Sequence, residues 1–145
     1  MKAALEEAQK AYAAREVPVG AVIVFQNQII ASAYNQVETL QDATAHAEML
    51  CLKQAAEKLG NWRLLDCTLY CTLEPCLMCA GAIILSRVKK IVWGAQDIRH
   101  GAGGSFIHHP IHRVEVHQGV LHHESSKLLK DFFKEQRECK SCSMN

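Results

Sequence analysis

The sequence predicts an α/β domain in which helices cover a sheet whose second half is largely parallel. Three observations predict it: short β-branched runs, segments with apolar side chains at helical spacing, and a regular alternation of the two after residue 43. Strands that alternate with helices pair in parallel through crossovers, which sets the character of the second half.

The elements follow in chain order. Residues 2–15 place Ala4, Leu5, Ala8, Ala11 and Tyr12 on one helical face. Pro18 marks the change to a β-branched strand over 19–25. A second strand over 29–34 follows the polar turn Gln26-Asn27-Gln28, which predicts a hairpin although the turn has no glycine. Polar residues 35–42 read as a loop. Thr44 is a suitable N-cap for a helix running to about residue 59, closed by Gly60. Thr68–Leu73 reads as a strand, and Pro75 suits the first turn of a helix over about 76–86. A strand at 88–94 leads to a loop with Gly101, Gly103 and Gly104. A strand near 113–117 and a helix over about 123–138 complete the series. No repeat, linker or low-complexity segment interrupts 1–145, so a single domain is expected, with 136–145 as a flexible tail.

A length of 145 residues suffices to bury a core without disulfide staples. Hydrophobic residues make up 49%, but the longest apolar runs are strand-length, well short of a bilayer span. No N-terminal stretch joins a basic head, an apolar run and a small-residue cleavage site, so the expected location is cytoplasmic, with no membrane partner. A net charge of +1 says little about partners; a nucleic-acid surface needs its bases gathered on one face. Seven cysteines, an odd number, exclude a complete set of intrachain disulfides. Cys51, Cys67 and Cys71 lie among apolar residues and read as small buried hydrophobes in a reducing compartment. The other four form two Cys-x-x-Cys pairs.

His46-Ala47-Glu48 opens one predicted helix, and Pro75-Cys76-Leu77-Met78-Cys79 opens another. Catalytic zinc takes three protein ligands and keeps a fourth position for water, and Cys₂His is one of its standard sets. Cysteines three apart on a helix share a face, and a helix N-terminus favours the thiolates that a metal needs. His46 supplies the third ligand in this reading. Glu48 is one place off for a capping box, because the residue three after Thr44 is Ala47. A carboxylate beside an activated water has a use as proton acceptor and donor. Alone, a Cys-x-x-Cys pair is compatible with structural zinc, redox chemistry or plain packing. In this order, at two helix starts and with proline before the first cysteine, the motifs match the H-x-E…P-C-x-x-C signature of zinc-dependent deaminases.

Longer segments carry a closer resemblance. Residues 15–21 (Arg-Glu-Val-Pro-Val-Gly-Ala), 43–48 (Ala-Thr-Ala-His-Ala-Glu) and 72–82 (Thr-Leu-Glu-Pro-Cys-Leu-Met-Cys-Ala-Gly-Ala) resemble the bacterial tRNA-specific adenosine deaminase family. So do 101–105, 109–110, 112–115 and 128–133, and the resemblance covers nearly the whole chain. It implies a cytidine-deaminase-like fold, three-layer α/β/α with a central mixed five-stranded sheet, and a homodimer. It also implies one Zn²⁺ per subunit, held by His46, Cys76 and Cys79, and hydrolytic deamination of adenosine to inosine at the wobble position of a tRNA anticodon stem-loop. Glu48 is then the catalytic proton carrier, and Ala47 lies with the substrate-binding residues. Asn35 matches the asparagine that hydrogen-bonds the flipped nucleotide. Asp97 and Arg99 fall on a loop that touches neighbouring nucleotides, and Phe133 and Arg137 on the helix near the RNA. The chain departs from the family at Ile111, where asparagine is usual, and at Ser125, where cysteine is common. The alternative reading keeps the chemistry but gives it a free base or nucleoside of the guanine or cytidine type.

The last predicted helix adds its own argument. Lys127, Lys130, Lys134 and Arg137 are spaced 3, 4 and 3 apart on one face, and Phe133 lies at the border of that face. A basic stripe edged by an aromatic suits single-stranded RNA, while the acids Asp131, Glu135 and Glu138 allow a solvated amphipathic helix instead. The six histidines within 108–123 read as exposed loop and strand-edge residues, and Cys139-Lys-Ser-Cys142 as part of an exposed tail.

Overall fold

The computed structural model describes residues 1–142, except the side chains of Ile107, His108 and 140–142. The chain begins with α1 (Lys2–Ala13), followed by the hairpin β1 (Gly20–Phe25) and β2 (Gln28–Tyr34). A one-turn helix α2 (Val37–Leu40) precedes α3 (Ala47–Leu59), β3 (Thr68–Leu73), α4 (Leu77–Leu85) and β4 (Lys90–Ala95). A short α5 (Ser105–His108), β5 (Glu115–Gln118) and α6 (His122–Cys142) follow.

The five strands form one sheet in the order β2-β1-β3-β4-β5. β1 pairs antiparallel with both β2 and β3, whereas β3–β4 and β4–β5 are parallel. The expected mixed five-stranded sheet is thus present. Successive strand residues face opposite layers. Gly20 turns toward α1, so closely that a Cβ there would stand 2.1 Å from the Ala4 carbonyl oxygen. Ala21 turns the other way, where its carbonyl accepts the Cys51 thiol of α3 at 3.6 Å. Helices α1 and α6 form one layer, joined by an edge contact of Tyr12 on Phe132 with ring centroids 5.6 Å apart. Helix α3 covers the other face beside α4, over a core that includes Ile23, Leu69, Cys71, Ile83, Ile91 and Trp93. Cys51, Cys67 and Cys71 are buried there, as their apolar neighbours in the sequence predicted.

The expected hairpin is present, and several other local expectations are corrected. The hairpin turn needs no glycine because Gln26 (φ 50) and Asn27 (φ 61) both adopt left-handed backbone, the conformation that matches strand twist in a two-residue turn. Residues 37–40 form α2 rather than open loop; a single turn is too short to show an apolar period. Thr44 does not cap α3, because its hydroxyl and N–H both donate to Asp42 Oδ1, at 2.7 and 2.8 Å. His46 is the N-cap instead. Gly60 closes the helix in left-handed backbone, as expected. Cys76 likewise caps α4, which places Pro75 outside the helix, where its carbonyl accepts the Ala102 N–H at 2.9 Å. Helix α6 runs to Cys142, four residues past the expected end. No helix among the described residues is long and apolar enough to cross a membrane.

Candidate active site

Two helix starts converge below the end of β3. His46 and Cys76 sit at the N-caps of α3 and α4 with extended backbone (ψ 150 and 173), and neither side chain caps its own helix. Both are therefore free to turn toward each other. Cys79 lies within the first turn of α4, on the face of Cys76. His46 Nδ1 is 3.6 Å from Cys76 Sγ and 3.5 Å from Cys79 Sγ, and the three atoms lie within 4.8 Å of one another. A tetrahedral zinc with bonds of about 2.3 Å to sulfur and about 2.05 Å to nitrogen sets each S···N pair about 3.6 Å apart. The donor set and its spacing fit zinc. The unpaired N–H groups of two helix starts add positive potential, which suits thiolates and a carboxylate.

Glu48, in the first turn of α3, is 4% exposed. Burial raises its pKa, against its own backbone N–H, the charge of His46 and the thiols of Cys71 and Cys79, which all favour the anion. Burial, reinforced by Glu48, pushes the thiols of Cys71 and Cys79 upward. The carboxyl group thus sits beside the thiol of Cys79, one member of the three-residue cluster.

A cavity of about 750 Å³ opens over this cluster. Its wall includes Asn35, His46, Ala47, Glu48, Cys76, Asp97 and Phe133. Cys79, at 0% exposure, stays behind the wall. An adjoining cavity of about 690 Å³ shares Asp97 and Phe133 and adds Arg99, Lys130 and Arg137. The structure thus brings nine of the ten site residues read from the sequence onto two contiguous cavities and places the tenth directly behind.

The basic stripe on α6 divides. Lys127 pairs with Asp131 and Lys134 with Glu138 at 4.0 Å, while Lys130 and Arg137 face the second cavity. Phe133 is 44% exposed at the cavity mouth and rests edge-on against Phe132. The histidines after residue 108 do not gather: His112 bonds the Val88 carbonyl at 2.8 Å, and His117 bonds Glu115 at 2.6 Å. Among the described residues, His46, Cys76 and Cys79 form the cluster with metal-holding geometry.

Sequence reading missed two buried carboxylates of the cavity wall, Glu16 and Glu74. Glu74 accepts the N–H groups of Asp97 and Gly103, each at 3.0 Å, and so ties both ends of the loop that carries Arg99 and His100. Glu16 accepts backbone N–H groups of α2. Their one signal was an acid within two residues of a proline, as in Glu16-Val-Pro and Leu73-Glu-Pro.

Comparison with known proteins agrees with this geometry. The MafB19-like deaminase family matches residues 1–137. The tRNA-specific adenosine deaminase of Bacillus subtilis is 48% identical over 99% of this chain and 92% of its own. A structure from a study of A-to-I editing by tRNA:A34 deaminases at the wobble position superposes with a TM-score of 0.84. It is 42% identical and covers 89% of this chain and 97% of its own. The guanine deaminase of Nitrosomonas europaea is more distant, with a TM-score of 0.76 and 29% identity over 89% of this chain and 80% of its own.

Proposed function

The chain belongs to the tRNA-specific adenosine deaminases, and from that membership we propose that it hydrolyses the wobble adenosine of a tRNA anticodon to inosine. The observation that carries the reading is the His46–Cys76–Cys79 cluster beside buried Glu48, at the floor of a cavity that continues into a basic, aromatic-edged groove.

His46, Cys76 and Cys79 would hold one zinc ion per subunit. Bound there, zinc supplies Lewis acidity that makes a water molecule ionisable near neutral pH. Glu48 accepts the proton that this water loses. It passes that proton to the adenine ring nitrogen. It then takes the remaining proton from the oxygen added at C6 and gives it to the amine, so that the C6–N bond breaks, ammonia departs and C6 keeps a carbonyl oxygen. The adenosine must be turned out of its stack to reach Glu48, which favours a loop nucleotide. Asn35 and Ala47 hold the extruded base within the cavity. Phe133 offers a face for a neighbouring base, while Asp97, Arg99 and Arg137 meet the flanking nucleotides, where the two arginines neutralise phosphates.

The enzyme works as a cytoplasmic homodimer in this reading. Helix α4 supports that state: Leu77 and Leu85 are 72% and 56% exposed, and a side chain on Gly81 would meet nothing within 4 Å. Such an apolar face, continuous with the ligand-bearing helix, suits a second copy of the chain.

Inosine formation in an anticodon stem-loop, measured for the zinc-loaded enzyme and its Glu48→Ala variant, tests the proposal. Faster turnover of free guanine or cytidine than of the stem-loop would reassign the substrate.

A further inference from the structure

A buried carboxylate without a role in the proton steps lies in the wall of the main cavity. Glu16 follows α1 and is 1% exposed. Its Oε1 accepts the Thr39 N–H at 2.6 Å, and its Oε2 accepts the Glu38 N–H at 3.2 Å and Asn35 Nδ2 at 3.4 Å. Burial acts to raise its pKa, but hydrogen bonds from Thr39 and then Glu38 outweigh burial and leave the pKa lowered. Glu16 is therefore an anion at neutral pH, and an anionic carboxylate can only accept hydrogen bonds.

That restriction orients Asn35. Its carboxamide could face Glu16 with nitrogen or with oxygen, and oxygen against a carboxylate is repulsive. The nitrogen must face Glu16, which uses one N–H and leaves one donor and one acceptor for the cavity. The Asn35 backbone is held as well, its N–H donating to the Val19 carbonyl at 3.0 Å. Glu16, Asn35 and Glu38 all line the cavity that contains Glu48.

We propose that Glu16 is a positioning residue that acts on the substrate through Asn35, holding its carboxamide in one of two orientations. The inference rests on the reading of Asn35 as a nucleotide contact. Glu16 also anchors the first turn of α2, so that Asn35 and the wall segment after it move as one unit. An amide held this way presents a fixed donor and acceptor to the base, whereas a free one divides its population between two arrangements.

A double-mutant cycle with Glu16→Gln and Asn35→Ala, read as kcat/KM on a wobble-adenosine stem-loop with melting temperatures in parallel, tests the proposal. Glu16→Gln keeps shape and removes the charge that orders the amide. The expected result is a loss on the order of 10- to 100-fold in each single variant, with the double variant no worse than Asn35→Ala. A Glu16→Gln enzyme within about twofold of the parent, or losses that multiply in the double variant, overturns the proposal and leaves Asn35 as a contact. A neutral Asn35→Ala removes the premise and overturns both. Should Glu16→Gln fail to fold, side-chain amide NMR of the parent protein decides. One slowly exchanging Asn35 Nδ2 proton whose shift follows the acid titration of Glu16 supports the proposal, and two freely exchanging protons overturn it.

Discussion

The imidazole Nδ1 of His46 stands 3.5 Å from the sulfur of Cys79, although 33 residues separate them in sequence. The contact exists because α3 and α4 both begin at the same end of the sheet, with His46 and Cys76 as N-caps whose side chains leave their own helices. Chain reversal through β3 does the rest. The same geometry that starts the two helices assembles the three ligands.

Zinc content follows from that geometry. The intact protein is expected to carry one zinc per subunit, and Cys76→Ala to lose it together with part of its thermal stability, since metal binding energy is also folding energy. Metal analysis by mass spectrometry alongside thermal unfolding checks both. Retention of a full equivalent by Cys76→Ala would place the ion elsewhere.

Salt dependence should separate the cations of α6. Arg137 faces the second cavity, whereas Lys127 is paired with Asp131 one turn on. Arg137→Ala is expected to weaken stem-loop binding and to reduce the slope of log K against log salt by about 0.7, the value for one contact to single-stranded phosphate. Lys127→Ala should leave that slope unchanged. Equal effects of the two substitutions would mean that the helix presents one undivided basic face.

Base extrusion makes a prediction about substrate structure. Removing a paired base from a duplex costs a few kcal/mol, so a loop adenosine should react on the order of 100-fold faster than the same adenosine inside a duplex. Single-turnover rates on two RNAs that differ only in that pairing provide the measurement. Equal rates are incompatible with a cavity floored by Glu48.

One stability prediction is independent of the chemistry. Ser125 is 2% exposed in α6, and its hydroxyl lacks a hydrogen-bond partner among the described residues. Ser125→Ala should stabilise the fold by about 1 kcal/mol, or roughly 2–4 °C in melting temperature. Scanning calorimetry would detect a change of that size, and a fall in melting temperature would show that the hydroxyl contributes to packing against β4.

Much of this was legible in the sequence because the signals are local. The β-branched runs, the closing Gly60 and the cysteine spacing each reflect a preference expressed within one turn or strand. The helix starts were misplaced for a physical reason. Thr44 has the side chain of an N-cap, but Asp42 competes for its hydroxyl, and His46 and Cys76 occupy cap positions while making no cap hydrogen bond. Glu16 and Glu74 were not legible as wall residues, because their partners lie 19–29 positions away and only the fold brings them together.

In the proposed reaction, Glu48 performs proton transfer during adenosine hydrolysis at the His46–Cys76–Cys79 site. Inosine formation in a wobble-adenosine stem-loop, compared between the zinc-loaded parent and Glu48→Ala at equal zinc content, addresses it most directly. The expected result is a loss of at least about 100-fold in turnover with the metal retained. Near-parental activity in Glu48→Ala, with zinc still bound, would contradict it.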